Sequence, residues 1–337
     1  MKAIGYRQSL PSDDPNALID TELAMPEPGP RDIRVKVEAV SVNPVDTKVR
    51  MRAAPPEGEV KVLGYDAAGV VEAVGSEVSL FKPGEEVFYA GAIDRPGTNS
   101  EYHVVDERIV GRKPSSLSFT EAAALPLTTI TAWELLFDRL GVAYGGKPSS
   151  ESILIVGGAG GVGSILIQLA SKLTSLTVIA TASRPETLAW CQDMGAHHVI
   201  DHRQPLSEGL AGIGIKEAAY VAGLTATDRH LPEIVKVIAP QGRFAVIDDP
   251  ASLDIMPFKR KSASVHWEFM FARPVFQTPD MDAQNHLLTK AAGLVDEGVL
   301  RTTFQQDYGR IDAANLRRAH QLVESGTSIG KVVLTGF

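Results

Sequence analysis

ILIVGGAGGVGSILIQLASKL, residues 153–173, is the stretch whose reading decides the fold. It opens on Ile153-Leu154-Ile155-Val156, a short apolar run with the length and β-branched content of a buried parallel strand. Glycines follow at once: Gly158, Gly160 and Gly163 fit G-x-G-x-x-G, with Gly161 as an extra and Ala159 and Val162 between them. Apolar residues then fall at 162, 165, 166, 169, 170 and 173, which is helical spacing. In the order strand, glycine turn, helix, one glycine permits a tight turn, one lets backbone N–H groups approach a pyrophosphate, and one lets helix and strand pack closely. The helix N-terminus adds unpaired N–H groups and a partial positive charge. With both flanks correct, residues 158–163 read as a dinucleotide site, and a ligand-free glycine loop becomes the weaker reading.

The second half of the unit addresses which dinucleotide. The next strand is expected over residues 176–182. A site for NAD usually carries Asp or Glu about twenty residues past the glycines, holding the ribose 2′-OH. Here that place reads Ala182-Ser183-Arg184. No carboxylate stands there to repel a 2′-phosphate, whereas a hydroxyl and a forked guanidinium can bind one, so the reading is NADPH. His202, after the strand expected at 199–201, is a further candidate for the adenosine phosphate. The competing readings are a solvated Arg184 at a helix start and a surface His202.

The remaining composition narrows the classes. A chain of 337 residues suggests two domains and can bury a large core. Hydrophobic content of 44% and charged content of 22% are ordinary for a globular protein. The net charge of −8 argues against nucleic acid or an anionic membrane as main partner. The one cysteine, Cys191, can make neither an internal disulfide nor a cysteine-rich metal site. No apolar run approaches the length of a membrane span, and Met1–Leu10 reads as a strand rather than a signal peptide. A reducing cytoplasm is the expected compartment.

Residues 1 to 125 read mainly as β, with runs at 33–40, 69–74, 86–89 and 100–105 broken by Pro/Gly clusters, which suits a small antiparallel barrel or sandwich. A helix is expected from Thr120 as its cap, interrupted by Pro126 and resuming over 131–140. A Gly/Pro/Ser-rich connector, 141–151, leads into the glycine-loop strand. Strands and helices then alternate to about 250, as in a doubly wound parallel sheet, with later strands at 217–221 and 243–247. A helix near 284–297 and a last strand at 331–335 return the chain to the first domain.

Several motifs together resemble one family: Ser41-Val42-Asn43-Pro44-Val45-Asp46, Leu63-Gly64-Tyr65-Asp66-Ala67-Ala68-Gly69, Phe81-Lys82-Pro83-Gly84-Glu85-Glu86-Val87, the stretch 124–133 and Gly330-Lys331-Val332-Val333-Leu334. The sequence is similar, over nearly its whole length, to the medium-chain dehydrogenase/reductase superfamily in its zinc-free quinone oxidoreductase branch. That resemblance implies an α/β protein: a GroES-like, β-rich catalytic domain over 1–126 and 266–337, a Rossmann domain with a doubly wound parallel sheet over 127–265, and an active site in the cleft between them. It also implies a homodimer. Zinc-dependent members carry cysteine where this chain has Asn43, and Gly-His-Glu where it has Gly64-Tyr65-Asp66, so the resemblance implies no metal here.

Without zinc to polarise an oxygen, the resemblance points to quinones or α,β-unsaturated carbonyls as hydride acceptors. The matching positions offer Asn43, Asp46, Lys48 and Tyr65 as catalytic candidates. Asn43 could bond a carbonyl oxygen and Lys48 could stabilise an enolate or hydroquinone anion. Tyr65 would wall the pocket or hydrogen-bond. Against these stand a turn at Asn43, a helix cap at Asp46 and a solvated Lys48. Thr131 matches a position close to the nicotinamide, and the loop at Ile247 should pass near it. The aromatic run 266–271 lines an apolar pocket or packs in the core or a dimer interface. The rival functions are a carbonyl or alcohol oxidoreductase of the same fold and a non-enzymatic NADPH-binding protein.

Overall fold

A computed structural model gives the structure and describes residues 1–146 and 150–337. The Lys147-Pro148-Ser149 part of the expected connector lies outside the described residues. The chain forms two compact units, Met1–Ile130 with Phe271–Phe337, and Thr131–Met270. The boundaries fall a few residues beyond the expected 126/127 and 265/266.

The Thr131–Met270 unit holds a six-stranded parallel sheet in the spatial order His198–Ile200, Thr177–Thr181, Ser152–Val156, Ala218–Gly223, Ile238–Val246, Ser264–Trp267. Numbered along the chain this is 3-2-1-4-5-6, the doubly wound order. The order reverses between Ser152–Val156 and Ala218–Gly223, so a crevice opens at their carboxyl ends, where such sheets bind ligands. Every residue of Ser152–Val156 is buried, as its apolar run requires. The edge strand Ser264–Trp267 was not expected. It is four residues long and half exposed, with Trp267 58% exposed, so neither length nor alternation announces it.

The other unit is built on a seven-stranded sheet. Its path runs Phe304–Asp307, Lys331–Thr335, Asp32–Ser41, Ala67–Val74, Glu86–Tyr89, Val110–Arg112, and Tyr102–Asp106 pairs with Asp32–Ser41 off that path. Pairing is antiparallel except between Phe304–Asp307 and Lys331–Thr335. A three-stranded sheet, Ile19–Glu22, Lys2–Tyr6, Lys61–Val62, completes it.

Two helix expectations need correction. The helix Phe119–Ala123 is capped by Ser118, not Thr120: Glu121 N donates to Ser118 Oγ and Ser118 N to Glu121 Oε2, a reciprocal box. Thr120 Oγ1 instead lies 3.0 Å from Thr335 Oγ1. Pro126 starts the helix Pro126–Trp133 rather than interrupting one, because a first-turn residue needs no N–H partner. That helix then widens into a π-helix over Glu134–Arg139, a form with no sequence signature.

The π segment brings Glu134, fully buried, to Glu268, 4% exposed, around one cation. Arg139 Nε donates to Glu268 Oε2 at 2.9 Å, and Arg139 Nη2 lies 3.6 Å from Glu134 Oε2. Burial, with the Glu134 carboxyl beside it, pushes the Glu268 carboxyl up to about 8 against the pull of Arg139. The folded chain therefore holds a proton that the unfolded chain releases at the ordinary carboxylate pKa. Stability contributed by Glu268 is lost as pH rises from that ordinary value toward about 8. Glu268→Gln should flatten this decline and raise the Tm by about 2–4 °C on its alkaline side. Thermal melts across the pH range measure it, and parallel wild-type and E268Q profiles would refute the raised Glu268 pKa.

Candidate active site

The glycine-rich loop lies at the carboxyl end of Ser152–Val156. Gly157, the residue before the G-x-G-x-x-G motif, makes the tight turn with φ of +95°. Gly160 caps the helix Gly161–Leu173, whose first N–H groups are free of helical partners. A Cβ on Gly163 would strike the carbonyl oxygen of Gly157 and stand 2.6 Å from that of Gly158, so only glycine permits this packing. On Gly158 it would meet Ala180 Cβ at 2.8 Å and Cys191 Sγ at 3.0 Å. The lone cysteine is thus a packing residue, its thiol pushed up to about 12 by burial.

Thr181, which sequence reasoning missed, ties the loop to the next strand. Its Oγ1 accepts from Gly157 N at 3.0 Å and stands 3.2 Å from His202 Nδ1. His202 and His230 meet edge to face with ring centroids 6.0 Å apart, and burial lowers both imidazole pKa values. Ser183 is half-buried. Arg184 precedes the helix Pro185–Asp193, with its guanidinium 3.2 Å from Glu186 and 36% exposed. Between residues 181 and 184 there is no carboxylate. Ile247 follows Ile238–Val246 at the same sheet end, its N–H donating to Gly223 O. Thr131 is buried within Pro126–Trp133. These residues fit a dinucleotide: N–H groups for a pyrophosphate at the loop, and a hydroxyl, an arginine and a histidine for a ribose phosphate.

The other unit gathers three of the four catalytic candidates and a residue the sequence did not single out. Asp66, fully buried, accepts through Oδ2 from Ser41 Oγ at 2.7 Å, Asn43 Nδ2 at 2.7 Å and Lys331 Nζ at 3.1 Å, and through Oδ1 from Leu127 N at 2.7 Å. Lys331, 3% exposed, also donates to Val42 O at 3.0 Å and to Asn43 Oδ1. Burial lowers the Lys331 pKa while Asp66 opposes it, and burial raises that of Asp66 while Lys331 opposes it. Asn43 thus spends both ends of its amide inside the protein.

Asp46 is a helix cap here. The helix Pro44–Arg52 starts on a proline, and Asp46 Oδ2 accepts from Asn43 N at 2.7 Å while Oδ1 accepts from Gly64 N at 3.0 Å. Its burial lifts the carboxyl to about 7. Tyr65 is 1% exposed and packs edge-on against Phe271 at 5.4 Å. Among the described residues its hydroxyl has no hydrogen-bond partner, and burial raises its pKa. Lys48 stands elsewhere, on the wall of a groove of about 520 Å3 shared with Ser12, Arg50, Arg52 and Glu324. In the aromatic run Trp267 and Phe269 are exposed, while Met270 and Phe271 are buried.

Zinc does not fit this cluster. Its ligand positions hold an amide and a phenol, the carboxylate beside them is already bound to an ammonium, and no thiolate or imidazole is among its partners. Among the described residues no group of three or more His, Cys, Asp or Glu could hold a metal ion.

Comparison with known proteins agrees with this architecture. Residues 29–115 match the family model described as an alcohol dehydrogenase GroES-like domain, and residues 194–334 match that of a zinc-binding dehydrogenase. A zinc-type alcohol dehydrogenase-like protein of Staphylococcus epidermidis is 38% identical over 99% of both chains. A crystal structure of a protein of Rhizobium etli, provisionally named a zinc-dependent alcohol dehydrogenase, is 59% identical with a TM-score of 0.96, covering 100% of this chain and 98% of that one. Escherichia coli quinone oxidoreductase, solved with NADPH, is 26% identical with a TM-score of 0.84 over 99% of this chain and 100% of its own. Gly163→Ala should abolish dinucleotide binding, because the added methyl meets backbone rather than a movable side chain. Titration of nicotinamide fluorescence measures this, and unchanged affinity would remove the loop from the site.

Proposed function

Because the chain belongs to the medium-chain dehydrogenase/reductase superfamily, we propose that it is an oxidoreductase that reduces quinones or α,β-unsaturated carbonyls with NADPH and without a bound metal. The observation that carries this reading is the Lys331 ammonium among Val42 O, Asn43 Oδ1 and Asp66 Oδ2, which commits the donors a metal would need. Acceptors whose charge delocalises onto a remote oxygen need the least electrophilic help. When bound, NADPH supplies the hydride.

The chain's own residues bind and orient. The N–H groups at 160–163 hold the pyrophosphate. Ser183, Arg184 and His202 hold the adenosine 2′-phosphate, and Thr131 and Ile247 border the nicotinamide. The buried, uncommitted hydroxyl of Tyr65 donates to the acceptor's oxygen. Asn43 and Asp46 act indirectly, Asn43 by positioning Asp66 and Lys331, and Asp46 by holding the turn at Gly64. Composition and family analogy support a cytoplasmic homodimer. Among the described residues no helix is long and apolar enough to cross a membrane.

NADPH oxidation, followed by loss of nicotinamide absorbance, tests the reading with a benzoquinone, a naphthoquinone, an acyclic enone, a 2-alkenal and a simple aldehyde. Turnover of the conjugated acceptors, unaffected by a chelator, is expected; turnover of the aldehyde alone would overturn it. Arg184→Ala should raise the Kd for NADPH about 10-fold while leaving that for NADH near its wild-type value. Equal weakening of both would refute the 2′-phosphate assignment. Tyr65→Phe should lower kcat with the Kd for NADPH unchanged, and an unchanged kcat would take the phenol out of the reaction.

A further inference from the structure

Three oxygens converge on one buried point in the Met1–Ile130/Phe271–Phe337 unit: the main-chain oxygen of Val42, the amide oxygen of Asn43 and one carboxylate oxygen of Asp66. One carboxylate and two carbonyl-type oxygens make a hard, singly charged donor set, the kind that receives a small cation. The point is filled by Lys331 Nζ, delivered on a four-carbon stem from the first residue of the strand Lys331–Thr335. An ammonium has three N–H donors, and here it meets three acceptors, so its hydrogen-bonding capacity is complete.

Charge completes the fit. The single positive charge meets one carboxylate directly. The nearby Asp46 is not among the partners of the Lys331 ammonium, and its two oxygens accept from the main-chain N–H groups of Asn43 and Gly64. A divalent ion would have to displace a covalently tethered cation and would bring two charges against the one coordinating carboxylate. Zinc would in addition find no nitrogen or sulfur ligand among these partners.

We propose that Lys331 is the resident cation of this site: the chain carries its own substitute for a metal ion, and that substitute holds the Asp66 carboxylate at the N-terminus of the helix Pro126–Trp133. The proposal extends the metal-free part of the function given above. It makes Lys331 a positioning residue, acting through Asp66 and Asn43.

The test uses the full-length protein incubated with excess zinc chloride, desalted and assayed for metal by mass spectrometry, beside thermal melts of wild type and Lys331→Ala. Wild type should retain substoichiometric zinc and melt at the same temperature with or without a chelator. K331A should melt about 10 °C lower, the consequence of a buried carboxylate that has lost its partner. Ethylammonium or propylammonium chloride should restore part of that loss, where equal sodium or tetramethylammonium chloride does not. Should K331A give no soluble protein, Lys331→Met combined with Asp66→Leu should recover a folded chain that K331M alone does not, because it removes both charges. Stoichiometric zinc in wild type that is lost in Asp66→Asn would overturn the proposal and the metal-free reading together. A zinc-free wild type with K331A melting as wild type would overturn the proposal alone.

Discussion

The ion pair between Asp66 and Lys331 is the constraint on which the β-rich unit turns. Neither residue has more than 3% of its surface in water, so each charge is tolerable only because the other is there. Their shared hydrogen bonds tie four segments: the end of Asp32–Ser41, the turn into Pro44–Arg52, the start of Lys331–Thr335 and the N-terminus of Pro126–Trp133. The carboxylate also faces the helix end that carries partial positive charge. Removing one partner of a buried pair costs about 3–5 kcal/mol, far more than an exposed pair of the same length contributes.

The two units solve opposite electrostatic problems with the same groups. In the Thr131–Met270 unit, a helix opens on glycine with no side-chain cap, so its first N–H groups have no helical partner and suit an anion. In the other unit, backbone and side-chain oxygens enclose the Lys331 ammonium. The first arrangement depends on glycines that let backbone approach backbone, and Thr181 couples that loop to His202 through Gly157. The second depends on residues brought together by the sheet from opposite ends of the chain.

That difference governs what could be read from sequence. The glycine-rich loop is local: strand, glycines and helix lie within 153–173, and the periodicity switches where the structure switches. The doubly wound parallel sheet followed from alternating strands and helices, while its strand order and sixth strand came only with the fold. The cation site is not local, because Lys331 and Asn43 are 288 residues apart and nothing around either suggests the other. Asn43 was a candidate for a substrate carbonyl because it stands at a position matching the family's substrate cleft and an amide can bond a carbonyl oxygen; only the fold shows that its amide is spent. Asp46 was legible both ways, and in the fold its side chain makes the capping bond to Asn43 N. Lys48 fell with the catalytic group by position in a motif, but helical twist carries it to a groove beside Arg50 and Arg52. The π segment and the short edge strand escaped because neither has a residue pattern of its own.

The central claim, hydride transfer from a nicotinamide to a conjugated acceptor, is tested most directly by following the transferred atom. NADPH carrying deuterium at both C4 positions, incubated with the purified protein and an acyclic enone, should yield a saturated ketone with one deuterium at the former β-carbon, seen by mass spectrometry and NMR. A product without deuterium, or no reduction of either the enone or a quinone alongside tight NADPH binding, would contradict the account.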